Sequence, residues 1–397
     1  MTGQGGALDY RATVASARLN DDVRVSIAND GVNLTTLFTP VFLAFADIVA
    51  IERVGYTCVL TTRDDRFTLS RLGNLLDAFC LEAGEAFNRA VRRALFVAGE
   101  ASFAADGDVE YAEPSAQARG PGRIEVYDDS VCLLPLDERA RRVPFAFMTD
   151  FERAPFEVTL ALDAGERYRV GRLGGALDAF VACVQDNLHR YRENALAAVR
   201  ELDPTLDTGQ LTALATLMPE GVAVPLGRVS QIAPSCAAAI EARIAESRAA
   251  ETYAVLKQLC PPGAIAVGMK TNLAGEQADN LLWFAAPSTD GSVVAVEFAV
   301  AEGVAAATFL YRTGRDAGAF MGTLNRALEG VAFHRDVISL PEEQLRTAAQ
   351  GTYAMAAVRL PALRIVRASF AGRVIHTSLP TWQADIERAL AGVPAAA

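Results

Sequence analysis

Arg71-Leu72-Gly73-Asn74-Leu75-Leu76-Asp77-Ala78-Phe79 returns as Arg172-Leu173-Gly174-Gly175-Ala176-Leu177-Asp178-Ala179-Phe180. Seven of the nine residues are identical, and the second string begins 101 positions after the first. A repeat spaced by one small domain means that the first half of the chain uses one fold twice.

The likeness extends upstream. Asn29-Asp30-Gly31-Val32-Asn33-Leu34 aligns with Asp128-Asp129-Ser130-Val131-Cys132-Leu133, each a polar turn followed by apolar alternation. Glu52-Arg53 aligns with Glu152-Arg153, and Tyr56-Thr57-Cys58-Val59-Leu60 with Phe156-Glu157-Val158-Thr159-Leu160. Downstream, Leu72, Leu76, Phe79, Ala83, Phe87 and Val91 fall three or four apart, as do Leu173, Leu177, Phe180, Val184, Leu188 and Tyr191. That spacing lays one apolar stripe along a helix. Each copy therefore reads as a meander of five to seven short strands closed by one amphipathic helix.

The nonapeptide sits where strand passes into helix. Leu72 and Leu173 are expected to anchor the helix start on the sheet. Gly73 and Gly174 are expected to permit close backbone approach. Leu76, Leu177, Phe79 and Phe180 face inward, and Asp77 and Asp178 favour the positive end of the helix. Arg71 and Arg172 complete the repeated set of anchors.

A meander followed by a capping helix resembles the pleckstrin-homology-like superfold with its GRAM and GLUE relatives, over roughly residues 8–96 and 100–196. The resemblance implies binding modules for peptides, proteins or lipid headgroups, usually without catalysis. Lipid-binding members place basic residues on an early hairpin loop, whereas Ala28-Asn29-Asp30-Gly31 and Tyr127-Asp128-Asp129-Ser130 are acidic here. Arg139, Arg141 and Arg142 form a basic cluster in the next loop of copy two, preceded by Asp137 and Glu138. They are the candidate headgroup loop; the plainer reading is a solvated loop.

The expected organisation is α+β: module one over 1–98, module two over 99–197, a helical connector over 198–262 and a C-terminal α+β module over 263–397. The connector carries a short helix, Thr208–Met218, and a longer Ala-rich one, Ser235–Leu259, with Pro219, Pro225 and Pro234 between them. The connector reads as a helical hairpin packed on module two; the alternative is a dimer face on the longer helix, whose charges Glu241, Arg243, Glu246, Arg248 and Glu251 read rather as a solvent face. Further on, 265–269, 281–286, 293–299 and 305–311 read as strands and Asp316–Glu329 as a helix, which is compatible with a diverged third copy. Val337-Ile338-Ser339-Leu340-Pro341 and Val374-Ile375-His376-Thr377-Ser378-Leu379-Pro380 each read as a β-branched strand entering a helix. Ser339 with Glu342 fits a capping box, and Pro341 and Pro380 fit first helical turns.

Hydrophobic residues make up 51% of the 397, enough to build real cores. The net charge of -11 argues against general binding to nucleic acid. Lys257 and Lys270 are the only lysines, a bias that reads as a GC-rich, bacterial genome. No apolar run reaches the roughly 20 residues of a spanning helix. Met1 to Gly6 lacks the basic and apolar segments of a secretion signal, so a cytoplasmic location is the expectation. The six cysteines, Cys58, Cys80, Cys132, Cys183, Cys236 and Cys260, form no C-x-x-C pair and read as reduced, buried side chains.

Catalytic chemistry is hard to find. His189, His334 and His376 are the only histidines, and no two have metal-ligand spacing. There is no G-x-S-x-G elbow and no phosphate-binding glycine loop. Neither cofactor nor metal is expected. Three functional readings follow. The first is a non-catalytic interaction or scaffold protein with a protein partner. The second is a peripheral protein that binds anionic lipid through Arg139, Arg141 and Arg142. The third is an enzyme using His334 or His376 with Asp336 or Ser339.

Overall fold

The structure, a computed structural model, describes residues 10–37, 40–114, 116–271, 280–299 and 307–391. The start read for a secretion signal, 1–6, lies outside the described residues. Among the described residues the protein is α+β, with three antiparallel sheets and twelve α-helices.

The first sheet comprises β1 (Tyr10–Ala15), β2 (Asn20–Ile27), β3 (Gly31–Thr35), β4 (Pro40–Ala44), β5 (Ile48–Val54), β6 (Thr57–Thr62) and β7 (Arg66–Ser70), in the order β4-β3-β2-β1-β7-β6-β5. A 3-10 turn at Gly73–Leu75 leads into α1 (Leu76–Ala94). The second sheet comprises β8 (Phe103–Glu113), β9 (Ala116–Val126), β10 (Ser130–Leu134), β11 (Arg141–Pro144), β12 (Met148–Arg153), β13 (Glu157–Leu162) and β14 (Arg167–Gly171), in the order β11-β10-β9-β8-β14-β13-β12. A 3-10 turn at Gly174–Ala176 leads into α2 (Leu177–Leu202). The two orders are the same, strand for strand. Even the bulge between Ile48 and Ala50 recurs, between Met148 and Asp150.

Period-two alternation builds these sheets: along β1, Tyr10, Ala12 and Val14 are buried while Arg11 is exposed. The inner face of the first sheet is closed by α1. Phe79 meets Tyr10 edge-on with ring centroids 5.1 Å apart, and Phe87 meets Phe45 at 5.8 Å. In the second copy Phe180 packs against Phe103 at 5.5 Å. Each such buried ring contributes about 2 to 3 kcal/mol of hydrophobic stabilisation.

The remainder comprises α3 (Thr208–Leu217), β15 (Val224–Pro225), α4 (Leu226–Ile232), α5 (Pro234–Ala245), α6 (Ala250–Leu259), β16 (Ala266–Thr271), β17 (Asn280–Pro287), β18 (Val293–Ala299), β19 (Ala307–Arg312), α7 (Ala317–Gly330), α8 (Asp336–Ser339), α9 (Glu342–Leu345), α10 (Gly351–Arg359), α11 (Pro361–Ser369), β20 (Phe370–Ile375) and α12 (Leu379–Leu390). The third sheet runs β15-β16-β17-β18-β19-β20. That is not the order of the repeated sheets: its last strand joins the far edge after five helices and does not return to the first.

Three local expectations are corrected. The long helix over Ser235–Leu259 is two helices, α5 and α6. Ser247 closes the break by donating to Ile244 O at 2.7 Å and accepting from Ala249 N at 3.2 Å. Val337-Ile338-Ser339 is the helix α8 rather than a strand, with the Arg367 guanidinium donating to the Val337 and Ile338 carbonyls. Ser339 forms no capping box with Glu342, because its hydroxyl donates to Asp336 O; a capping box forms at Asp207 and Gln210, at the start of α3.

The chain divides into two compact units. One contains residues 1–143, 148–183 and 340–360, and so holds both repeated sheets together with α1, α9 and α10. The other contains 144–147, 184–339 and 361–397, which places the helical connector with the third sheet. In the second unit Trp382 of α12, Phe284 of β17 and Ile240 of α5 belong to one continuous core.

Candidate functional site

The repeated junction is the part most alike in the two copies. Arg71 and Arg172 both adopt left-handed backbone, with φ of 60° and 58°. Gly73 and Gly174 do the same at 60° and 55°. No atom lies within 4 Å of a Cβ placed on either glycine, so these glycines supply backbone freedom and not the expected close approach. Leu72, Leu173, Leu76, Leu177, Phe79 and Phe180 are all buried. Asp77 and Asp178 lie in the first turns of their helices and pair with Arg53 at 2.7 Å and Arg153 at 2.5 Å. The junction is a structural lock.

The three arginines of the headgroup loop are engaged inside the protein. Arg139 grips Asp137 through Nε at 2.9 Å and Nη2 at 2.5 Å and lies over the Tyr111 ring. The hydrogen bond to Asp137 holds its pKa above the ordinary value. Arg141 pairs with Glu113 through Nε at 2.7 Å and Nη2 at 3.1 Å, and the two side chains are only 14% and 8% exposed. Burial opposes the Arg141 charge, but the bonds to Glu113 lift its pKa above the usual value. Arg142 is buried and donates to Asp129 at 2.6 Å and Ser130 Oγ at 3.2 Å. The sequence placed these residues in one loop. What it did not reveal is that Glu113, 28 positions away from Arg141, supplies the opposing charge.

A sheet edge is more informative. In copy one the outer edge of β5 is already paired: Ile51 N–H donates to Leu136 O at 2.8 Å, and Ala50 and Asp137 form an antiparallel bridge. Leu136 lies beside Gly84 of α1, where a Cβ would stand 3.1 Å from its Cδ1. Arg63 pairs with Glu138 at 3.5 Å. Beside this segment Arg359 of α10 is buried over the Phe87 ring, 5.5 Å from its centroid, and donates to Asp137 O at 3.4 Å. Tyr353 stacks on Phe96. The edge and helix face of copy one are thus covered by the chain itself.

The corresponding edge of copy two is β12. Phe151 stands opposite Leu160 as Ile51 stands opposite Leu60, so its N–H points out of the sheet in the same register. Among the described residues no backbone group pairs with it. Thr149, Asp150, Glu152 and Arg153 are exposed, and Phe156 at the following turn is 84% exposed. Its counterpart Tyr56 is 89% exposed. The repeat implied this equivalence, but only the register shows one edge filled and the other open.

The three histidines sit in different surroundings. His189 is exposed on α2. His334 Nδ1 lies 3.0 Å from Val331 O, and Ser339 bonds to Asp336 O. His376 has a carboxylate neighbour that spacing did not suggest: its Nε2 lies 3.2 Å from Glu297 Oε2 and 3.2 Å from Thr308 Oγ1. Thr308 donates to Glu297 at 2.5 Å and accepts from Trp382 Nε1 at 2.8 Å. Glu297, Thr308 and Trp382 are buried, so the network braces α12 against β18 and β19. A cavity of about 480 Å³ in the second unit is lined by Val199, Met218, Arg243 and Met269 among others, with no histidine or cysteine on its wall. No cluster of three metal-ligating side chains exists among the described residues, and no helix there is long and apolar enough to cross a membrane. Comparison with protein-family models and with curated proteins returns no match.

Proposed function

We propose that this is a non-catalytic interaction or scaffold protein built on tandem pleckstrin-homology-like modules, and that it binds an extended segment of a protein partner along the outer edge of β12. One observation carries the reading. The same edge in copy one already takes an isolated antiparallel bridge from the loop at Leu136–Asp137, while the edge in copy two presents the equivalent N–H unpaired. An open antiparallel edge takes a partner strand through main-chain hydrogen bonds, with side-chain contacts adding selectivity. The exposed Phe156 lies close by in sequence and offers an apolar anchor. The anionic-lipid reading is disfavoured because Arg139, Arg141 and Arg142 already hold carboxylates.

The test compares Phe151→Pro with Phe151→Ala in co-purification from the native host, with a photo-crosslinking residue at Thr149. Proline removes the outward donor, whereas alanine removes only the ring. The reading expects a defined crosslinked protein that survives Phe151→Ala and is lost in Phe151→Pro at equal thermal stability. Equal retention by both variants overturns it.

A further inference from the structure

Of the six cysteines, all free, Cys58 and Cys80 are the two whose thiols act on each other's protonation. Backbone geometry explains their meeting. Cys58 of β6 stands directly opposite Arg53 of β5, so the two side chains lie on one face of the sheet. Arg53 reaches across to Asp77 at 2.7 Å. Asp77 and Cys80 are three apart on α1 and therefore neighbours on its surface. The ladder, the ion pair and the helix spacing thus set Cys58 and Cys80 in one neighbourhood, on the facing surfaces of the sheet and α1. Cys58 is fully buried, and Cys80 is half-buried.

Copy two supplies a control within the same chain. Val158 stands opposite Arg153, and Arg153 pairs with Asp178, as in copy one. The positions of Cys58 and Cys80 are occupied there by Val158 and Val181, both buried. Packing alone is met by two valines. Copy one carries two thiols in their place.

We propose that Cys58 and Cys80 form a redox pair in which peroxide oxidises the half-buried Cys80 and the buried Cys58 resolves it to a disulfide. The Cys80 sulfur attacks one peroxide oxygen. The O–O bond breaks, a sulfenic acid forms, and the other oxygen leaves as water. Cys58 then loses its proton and attacks the Cys80 sulfur. The S–O bond breaks, and the hydroxyl leaves with that proton as a second water. Two thiols become one disulfide, and one peroxide becomes two waters. A small dithiol reverses the change by becoming oxidised itself. The local electrostatics agree with this division of roles: the neighbouring Cys58 thiol and Arg53 lower the Cys80 pKa, while Cys80 and burial raise that of Cys58.

The experiment treats the full chain with hydrogen peroxide, blocks free thiols and digests with trypsin. The expected product links the peptide Val54–Arg63 to the peptide Leu72–Arg89, with a mass loss of about 2 Da that dithiothreitol restores. In Cys58→Val, which installs the copy-two residue, dimedone is expected to label Cys80. In Cys80→Val, Cys58 is expected to stay unlabelled. Alkylation of Cys80 at neutral pH is expected to run roughly tenfold faster than that of half-buried Cys183 and to slow in Arg53→Gln. A folded wild-type chain with no linked peptide, or with Cys80 no faster than Cys183, overturns the proposal.

Discussion

Arg53 Nη1 lies 2.7 Å from Asp77 Oδ1, and Arg153 Nη2 lies 2.5 Å from Asp178 Oδ1. The same arm of the sheet reaches the same turn of the capping helix in both copies. The arginines come from β5 and β12, and the aspartates from the first turns of α1 and α2. Both pairs are largely exposed, so they contribute little to stability and act mainly to orient the β5–β6 and β12–β13 turns over the helix starts. In copy one that orientation also sets Arg53 beside the paired thiols.

At the junction, left-handed backbone at Arg71 and Arg172 strains a residue with a Cβ, whereas Gly73 and Gly174 adopt it freely. Arg71→Gly is expected to stabilise the first unit by a few tenths to about 1 kcal/mol, and Gly73→Ala to destabilise it by about 1 kcal/mol. The open space around the Gly73 Cβ position leaves backbone strain as the only cause. Shifts in the urea midpoint check both signs, and Arg172→Gly with Gly174→Ala should repeat them.

Arg141 and Glu113 form a buried pair, with Tyr168 also donating to Glu113 at 3.0 Å. Removing the guanidinium leaves a buried carboxylate short of a partner. Arg141→Ala is expected to destabilise the first unit by about 3 kcal/mol. Flotation with phosphatidylserine vesicles at low salt is expected to recover neither wild type nor variant. Wild-type flotation that Arg141→Ala abolishes without a stability loss would contradict this account.

Tyr10 donates to Glu82 at 2.6 Å, and burial, assisted by Glu82, pushes its pKa up to about 12. An unfolded tyrosine titrates near 10. Because the folded value is the higher one, this contribution to stability is complete below pH 10. It is lost as pH rises from about 10 through about 12. Tyr10→Phe keeps the ring against Phe79 and is expected to show a shallower fall in melting temperature over that window. Calorimetry from pH 9 to 12 tests it.

Much of the architecture was legible because the repeat is anchored by demanding backbone. Two left-handed residues around a buried leucine, followed by a helix start, tolerate few sequences, so Arg71–Phe79 and Arg172–Phe180 stayed recognisable. Strand alternation and the α1 stripe report burial directly, since period follows geometry. The α5–α6 break carries no mark in the sequence, because the Ala-rich stretch keeps helical periodicity through Ser247 without a proline or glycine at the turn. Val337 and Ile338 favour strand locally but join a helix whose carbonyls Arg367 satisfies, a case of tertiary contact overriding propensity.

The candidate surfaces depended on pairings between distant segments. Cys58 and Cys80, Glu297 and His376, and Ile51 and Leu136 carry no mark in composition or spacing. The amino-acid order alone determined that one strand-and-helix body is built twice, since alternation, helical stripe and left-handed turns are local properties. Which edge is covered, which arginines are neutralised and which thiols meet was decided only in three dimensions. Strand register and side-chain ion pairing couple residues tens of positions apart, and their energies depend on burial that exists only once the chain has folded.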